Sequence, residues 1–192
     1  MNRAAFLDRD GVINRKAREG EYVTRWDEVQ IVPGVAEAIA LLNQAGVRVI
    51  VASNQRCVAK GLITIFELEV LHRRMCEAVA NHGAKIDAIY YCPHETQPPC
   101  RCRKPQPGML LDAARDHDID LSASWMIGDS HADVEAGRNA GCKTALLAAR
   151  DDSVKTDADI VARSLLEAIR QILGLEQDLT DRKPGLPAHT RF

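Results

Sequence analysis

Residues 4–14 read Ala4-Ala5-Phe6-Leu7-Asp8-Arg9-Asp10-Gly11-Val12-Ile13-Asn14. Four apolar residues fit a short buried strand, and two carboxylates with a glycine behind them mark where that strand ends and the chain turns. In an open α/β sheet the carboxyl ends of the strands form the ligand crevice, so Asp8 and Asp10 are expected to project into it. Alternation along an extended chain puts Asp8 and Asp10 on one side and Arg9 on the other. Side-by-side carboxylates repel unless they share a proton or a cation. A hard ion with oxygen ligands, Mg²⁺, meets that need.

An apolar strand with a polar end recurs along the chain. Residues 47–52 predict a second buried strand, ending in Ser53-Asn54-Gln55, whose hydroxyl and amide groups can donate to phosphate oxygens without adding charge. Residues 88–91 predict a third, and residues 125–127 a fourth that ends in Gly128-Asp129-Ser130-His131-Ala132-Asp133. Residues 143–147 supply a fifth. Between them lie helical patterns. One opens at Pro33-Gly34 with Val35, Ile39 and Leu42 and stops at Gly46. Another starts at the capping box Thr64 to Glu67, carries Leu68, Leu71, Met75 and Val79, and closes at His82-Gly83. Residues 108–117 predict a third helix. A fourth begins directly after Asp129, with Asp133 in its first turn and Gly141 past its end, and residues 164–173 form the last, ended by Gly174. Strands alternating with helices, each strand ending in polar groups, imply α/β architecture: a doubly wound, Rossmann-like parallel sheet with one active edge.

Cys92-Pro93-His94 and Cys100-Arg101-Cys102 place three thiols and an imidazole within eleven residues. Cys92, His94, Cys100 and Cys102 match the Cys₃His set of structural zinc, and a filled tetrahedron leaves no position for water, so Zn²⁺ here is expected to hold the 92–102 loop and not to react. Arg103-Lys104-Pro105 follow the last ligand directly. A pinned loop fixes both cations: Arg103 can grip a phosphate bidentately, and Lys104 is a compact charge suited to sit between phosphate and carboxylate.

The 192-residue length fits one domain over residues 1–175, followed by a polar, mobile tail over 176–192 containing Pro184 and Pro187. A net charge of −2 with 27% charged residues leaves no basic field for nucleic acid. No stretch approaches the roughly 20 apolar residues of a membrane span, and the start of the chain turns acidic too soon for a signal peptide. A cytoplasmic monomer is expected, with six cysteines devoted to metal or burial and not to disulfides. Tyr22 and Trp26, on the irregular segment after Asn14, are candidates to line the pocket.

The inventory at the active edge is two adjacent carboxylates, a hydroxyl-amide pair, an Arg-Lys pair and a further carboxylate. It can bind a metal and a phosphate while leaving an aspartate to attack phosphorus. In its four motifs, Asp8-x-Asp10-Gly11, Ser53-Asn54, Lys104 and Gly128-Asp129-x-x-x-Asp133, the chain resembles the haloacid dehalogenase superfamily of phosphatases over about residues 4–150. Asp8-Arg9-Asp10-Gly11, Ser53-Asn54-Gln55, Cys92-Pro93-His94 and Cys100-Arg101-Cys102-Arg103-Lys104-Pro105 are similar to its zinc-containing branch. That branch holds D-glycero-D-manno-heptose 1,7-bisphosphate 7-phosphatase and histidinol-phosphate phosphatase, and it has no large cap domain. The resemblance implies Asp8 as nucleophile and Asp10 as general acid and base. It implies Mg²⁺ on Asp8, the Asp10 carbonyl and Asp129, with Ser53 and Lys104 steadying the phosphoryl group and Asn54, Gln55, Arg56, Arg103 and Ser130 contacting substrate.

The expected partner is therefore a small phosphorylated sugar, with the heptose bisphosphate favoured by Tyr22-Val23, the short run from Gln55 to Gly61 and residues 103–110. Two departures bear on substrate: Ser130 stands where many heptose phosphatases carry a lysine, and Arg56-Cys57 replaces a small polar residue and glycine. The alternatives are histidinol phosphate, whose amine would favour an acidic pocket, and a non-catalytic zinc module, against which the intact Asp8 and Asp10 speak.

Overall fold

The computed structural model describes residues 1–148 and 155–175; the tail expected over 176–192 lies outside the described residues. In chain order the elements are β1 (Ala4–Leu7), α1 (Val35–Gln44), β2 (Arg48–Asn54), α2 (Ile65–Ala80), β3 (Ala88–Cys92), α3 (Gly108–His117), β4 (Trp125–Gly128), α4 (His131–Ala140), β5 (Lys143–Leu147), β6 (Ile160–Ala162) and α5 (Leu165–Leu173). The six strands form one sheet in the order β3-β2-β1-β4-β5-β6, and every pairing is parallel. β6 escapes sequence reading because it has only three residues at an edge and its middle one is exposed, so it shows no apolar run.

Alternation in β1 builds both cores. Ala4 and Phe6 face Ile50, Ala52 and Met126 together with Met109, Leu110 and Ala113 of α3, whereas Ala5 and Leu7 face Val49, Val51 and Ile127 with α1 and α5. Helices on both sides explain why the strands read as unbroken apolar runs and not as alternating ones. Capping fixes where α2 starts: the Thr64 N–H donates to Glu67 Oε2 (2.9 Å), and the Glu67 N–H returns to Thr64 Oγ1 (3.2 Å).

The strand order reverses beside β1, where the chain returns from β3 to add β4 on the other flank. The ligand crevice of such a sheet opens at this switch point. Leu7 lies opposite Val51 on β2 and Ile127 on β4. One register therefore delivers Asp8, Ser53 and Asp129 to the same edge.

Candidate active site

β1 ends at Leu7, and a tight turn carries residues 8–14, with the Ile13 and Asn14 N–H groups donating to the Arg9 carbonyl (2.8 and 3.0 Å). This turn overturns the expected placement of Arg9 opposite the two carboxylates: strand alternation no longer applies past Leu7. Arg9 folds back, is 1% exposed, and grips Asp10 through Nη2 (2.9 and 2.8 Å) and Nε (3.1 Å). Asn14 Nδ2 (2.9 Å) and Gln55 Nε2 (3.0 Å) complete the clasp. Burial opposes the Asp10 charge, yet Arg9 and these hydrogen bonds outweigh it and hold the carboxyl below its ordinary value. On the far side of Arg9, Nη1 lies 3.3 Å from His72 Nε2. Burial, then the Arg9 charge, pushes the His72 ring down to about 3, so the ring is neutral and Nε2 accepts.

Asp8 lies beside Lys104. Its Oδ1 accepts from the Arg9 N–H (2.8 Å) and pairs with Lys104 Nζ (2.9 Å). The Lys104 ammonium, 4% exposed, uses its remaining donors on the Ala52 carbonyl (2.7 Å) and Asp133 Oδ1 (2.6 Å). Burial pushes Asp8 up most strongly, Lys104 counters it, Asp133 and Asp10 add repulsion, and the carboxyl settles at about 6. For Lys104, burial works against the charge, but Asp8 and Asp133 outweigh it and keep the amine above its ordinary value.

Asp129 stands across the crevice with Oδ2 2.9 Å from Lys16 Nζ. Its buried Oδ1 has no hydrogen-bond partner among the described residues. An orphaned carboxylate oxygen is costly unless a cation satisfies it. Ligand oxygens of Asp8, Asp129 and Asp133 lie within 4.8 Å of one another, so the set fits a hard divalent ion. Two glycines make room. A Cβ on Gly11, whose φ is +95°, would lie 2.1 Å from Asp129 Oδ2, and one on Gly128 would lie 2.2 Å from the Asp133 side chain.

The other expected residues divide into those that face the crevice and those that support it. Ser53, Asn54, Arg103 and Ser130 line the cavity of about 270 Å³ with Asp8, Asp10 and Asp129. Asn54, however, clamps the backbone of Lys104: its Nδ2 donates to the Lys104 carbonyl (3.1 Å) and its Oδ1 accepts from the Lys104 N–H (3.0 Å). The Ser130 hydroxyl donates a hydrogen bond to Asp133 Oδ2 (2.5 Å), which also accepts from the Ser130 N–H (3.0 Å) and so caps α4. Gln55 is 2% exposed and donates to Asp10 and to Ser53 Oγ (2.8 Å), supporting the crevice from behind. The expectation for Arg56 is corrected: its guanidinium pairs with Glu95 beside His94 and does not line the crevice, because the chain turns away from β2 after Asn54. Tyr22 lines the crevice as expected, whereas Trp26 packs against the core.

Cys92, at the end of β3 and paired in register with Asn54, anchors the second cluster. Its Sγ lies 3.6 Å from His94 Nδ1 and 3.6 Å from Cys100 Sγ; Cys102 Sγ is 3.2 Å from the imidazole and 3.5 Å from Cys100 Sγ. Metal–sulfur bonds of about 2.3 Å and metal–nitrogen bonds of about 2.0 Å give a tetrahedron with edges of about 3.5–3.8 Å. The four groups can therefore hold one metal ion, and Arg103 next to the last of them donates Nη1 to the His94 carbonyl (3.4 Å).

Sequence reading gives Arg9 and His72 no role at the site and names Asp133 only within the fourth motif and as a first-turn charge. The signals were present for two of them. A buried arginine between two aspartates needs one of them, and His72 falls on the Leu68–Met75 apolar stripe of α2. The Lys16 contact with Asp129, 113 residues away, has no local signal.

A haloacid dehalogenase (HAD)-hydrolase-like family model matches residues 101–168. The chain is 44% identical to a D-glycero-beta-D-manno-heptose-1,7-bisphosphate 7-phosphatase of Pseudomonas aeruginosa over 74% of this chain and 79% of the relative. It is 37% identical to the Photorhabdus laumondii protein of the same description over 88% and 92%. The crystal structure of a D,D-heptose 1,7-bisphosphate phosphatase from B. bronchiseptica, complexed with magnesium and phosphate, superposes with a TM-score of 0.82 at 36% identity, covering 90% of this chain and 99% of that one. Likeness of that extent, on a sheet whose switch point gathers three aspartates and a lysine, places the chain in the D-glycero-D-manno-heptose-1,7-bisphosphate 7-phosphatase family of HAD-like hydrolases.

Proposed function

We propose that the protein is a Mg²⁺-dependent phosphomonoester hydrolase that removes the 7-phosphate of D-glycero-D-manno-heptose 1,7-bisphosphate through an acyl phosphate on Asp8. The observation that carries this reading is the Asp8 carboxylate. Among the described residues both of its hydrogen-bonding contacts fall on Oδ1, which leaves Oδ2 to attack phosphorus. Asp8 and Asp129 side chains, with the Asp10 carbonyl, would hold Mg²⁺, which when bound screens the attacking carboxylate from the phosphate it approaches. Lys104 fixes Asp8 and offsets charge on the transferring group, and Ser53 and Arg103 steady its oxygens.

Asp10 as held by Arg9 is ionised, the state needed to take a proton from the water that hydrolyses the Asp8 acyl phosphate. For the first half-reaction it must carry a proton. The arriving phosphate is a like charge that pushes its carboxyl back up, and the proton then goes to the leaving C7 oxygen. The Cys92-His94-Cys100-Cys102 cluster would hold Zn²⁺ in a structural role, keeping Arg103 and Lys104 in place. Reduced thiols in that cluster suit a cytoplasmic enzyme, which we read as a monomer with a phosphorylated sugar as its partner.

Histidinol phosphate is the second reading, and Lys16 and Arg103 on the crevice wall count against its amine. Turnover of heptose 1,7-bisphosphate and histidinol phosphate by one preparation tests the choice. Faster turnover of the bisphosphate is expected, and a preference for histidinol phosphate overturns the assignment.

A further inference from the structure

Lys16 touches both the catalytic crevice and the space outside it. Its Nζ lies 2.9 Å from Asp129 Oδ2, yet its side chain is 60% exposed. It lines the 270 Å³ crevice and also a cavity of about 760 Å³ that Arg15, Arg18, Thr24 and Gln30 help to wall. Ala17, Glu21, Tyr22 and Val23 belong to both, so the cavities are contiguous and Lys16 stands at their seam.

Charge balance says what Lys16 does there. Asp8, Asp129 and Asp133 surround two ammonium groups, Lys104 and Lys16, leaving the cluster one negative charge in excess. Lys104 is buried and fully bonded, whereas Lys16 is held on one carboxylate and has open space behind it. A divalent ion on Asp129 turns the excess positive and competes for the carboxylate that holds Lys16. The ammonium is then the group free to leave, and the outer cavity already carries Arg15 and Arg18. Three cations beside a phosphate-binding crevice fit a second phosphate on the same substrate.

We propose that Lys16 is an exchangeable counter-ion: it closes on Asp129 in the absence of a divalent ion, and Mg²⁺ binding releases it to grip the non-reacting phosphate of the substrate in the outer cavity. The proposal rests on the bisphosphatase reading for its second half and not for its first. Glu21 and Glu28 in the outer wall keep that cavity from being a general anion sink.

Lys16→Met preserves length and removes charge, and Lys16→Arg retains the charge. Calorimetric titration with Mg²⁺ alone is expected to show tighter binding by Lys16→Met, about two- to five-fold, because a competing, largely exposed ion pair has gone. The ratio of kcat/KM for heptose 1,7-bisphosphate to that for heptose 7-phosphate, which has the same scissile ester and no second phosphate, is expected to fall about ten-fold in Lys16→Met and to hold in Lys16→Arg. Equal or weaker Mg²⁺ binding by Lys16→Met overturns the exchange, and an unchanged substrate ratio overturns the phosphate grip. If the wild-type protein itself does not prefer the bisphosphate, the functional assignment and the grip both fall, while the Mg²⁺ titration still decides the exchange.

Discussion

Lys104→Met should be the most damaging single change among the buried polar residues, because it deletes the cation between two carboxylates and keeps most of the volume. The side chains of Lys104 and Asp133 are 2% and 1% exposed and that of Asp8 13%, with N–O separations of 2.6 and 2.9 Å. Removing one partner of a buried ion pair costs about 3–5 kcal/mol. For a chain of this size each kcal/mol moves the melting temperature by about 2–4 °C, so a drop of roughly 6–20 °C is expected. Asp8 should also take up a proton near neutral pH, since Lys104 is the main influence opposing burial there. Melting in EDTA keeps a divalent ion from replacing the lost ammonium. Adding Asp133→Asn, which can still cap α4, removes one of the stranded charges and should recover at least about 1 kcal/mol. A Lys104→Met protein that melts within about 2 °C of wild type, or a double variant no more stable than the single one, would refute the buried-pair reasoning.

Three further outcomes are expected. Asp10→Asn should fold and bind phosphate but lose about 10²–10⁴ in kcat, and a smaller loss in steady-state kinetics would remove it as proton carrier. Cys100→Ser should lose bound zinc by elemental analysis and about 100-fold in rate with its helical circular dichroism kept, because Arg103 and Lys104 shift before the sheet unfolds; wild-type kinetics would contradict the clamp. His72 has a folded pKa of about 3, below its ordinary 6.5, so its contribution is whole above pH 6.5 and drains as pH falls from 6.5 toward 3. Denaturation across that window should show wild type losing up to about 1.4 kcal/mol per pH unit more than His72→Gln, and parallel curves would show that His72 is not buried neutral.

The sheet was legible because buried parallel strands announce themselves as apolar runs and their carboxyl ends as abrupt polarity. β1, β2 and β4 follow that rule, and Asp8, Ser53 and Asp129 were placed by it. β6 was not, since a three-residue edge strand carries too little burial to leave a pattern. The Cys92-His94-Cys100-Cys102 group was legible from local spacing alone, since all four residues lie in the 92–102 loop. What sequence could not supply was how side chains pair once the backbone leaves regular structure. Arg9 turns toward Asp10 because the chain curls past Leu7, Arg56 turns toward Glu95 because the loop after Asn54 swings toward the Cys/His group, and Lys16 meets Asp129 from 113 residues away in sequence. Asn54 illustrates the same limit: an amide suited to phosphate is instead spent holding the Lys104 backbone.

Every other role at the site follows from Asp8 carrying the phosphoryl group. Acid quenching during turnover of heptose 1,7-bisphosphate, followed by peptide mass spectrometry, reads this directly. One phosphoryl group, removable by hydroxylamine, is expected on the peptide containing Asp8, and none is expected in Asp8→Asn, which should be inactive. Wild-type turnover with no modified peptide under conditions that trap acyl phosphates, or hydrolysis persisting in Asp8→Asn, would contradict it.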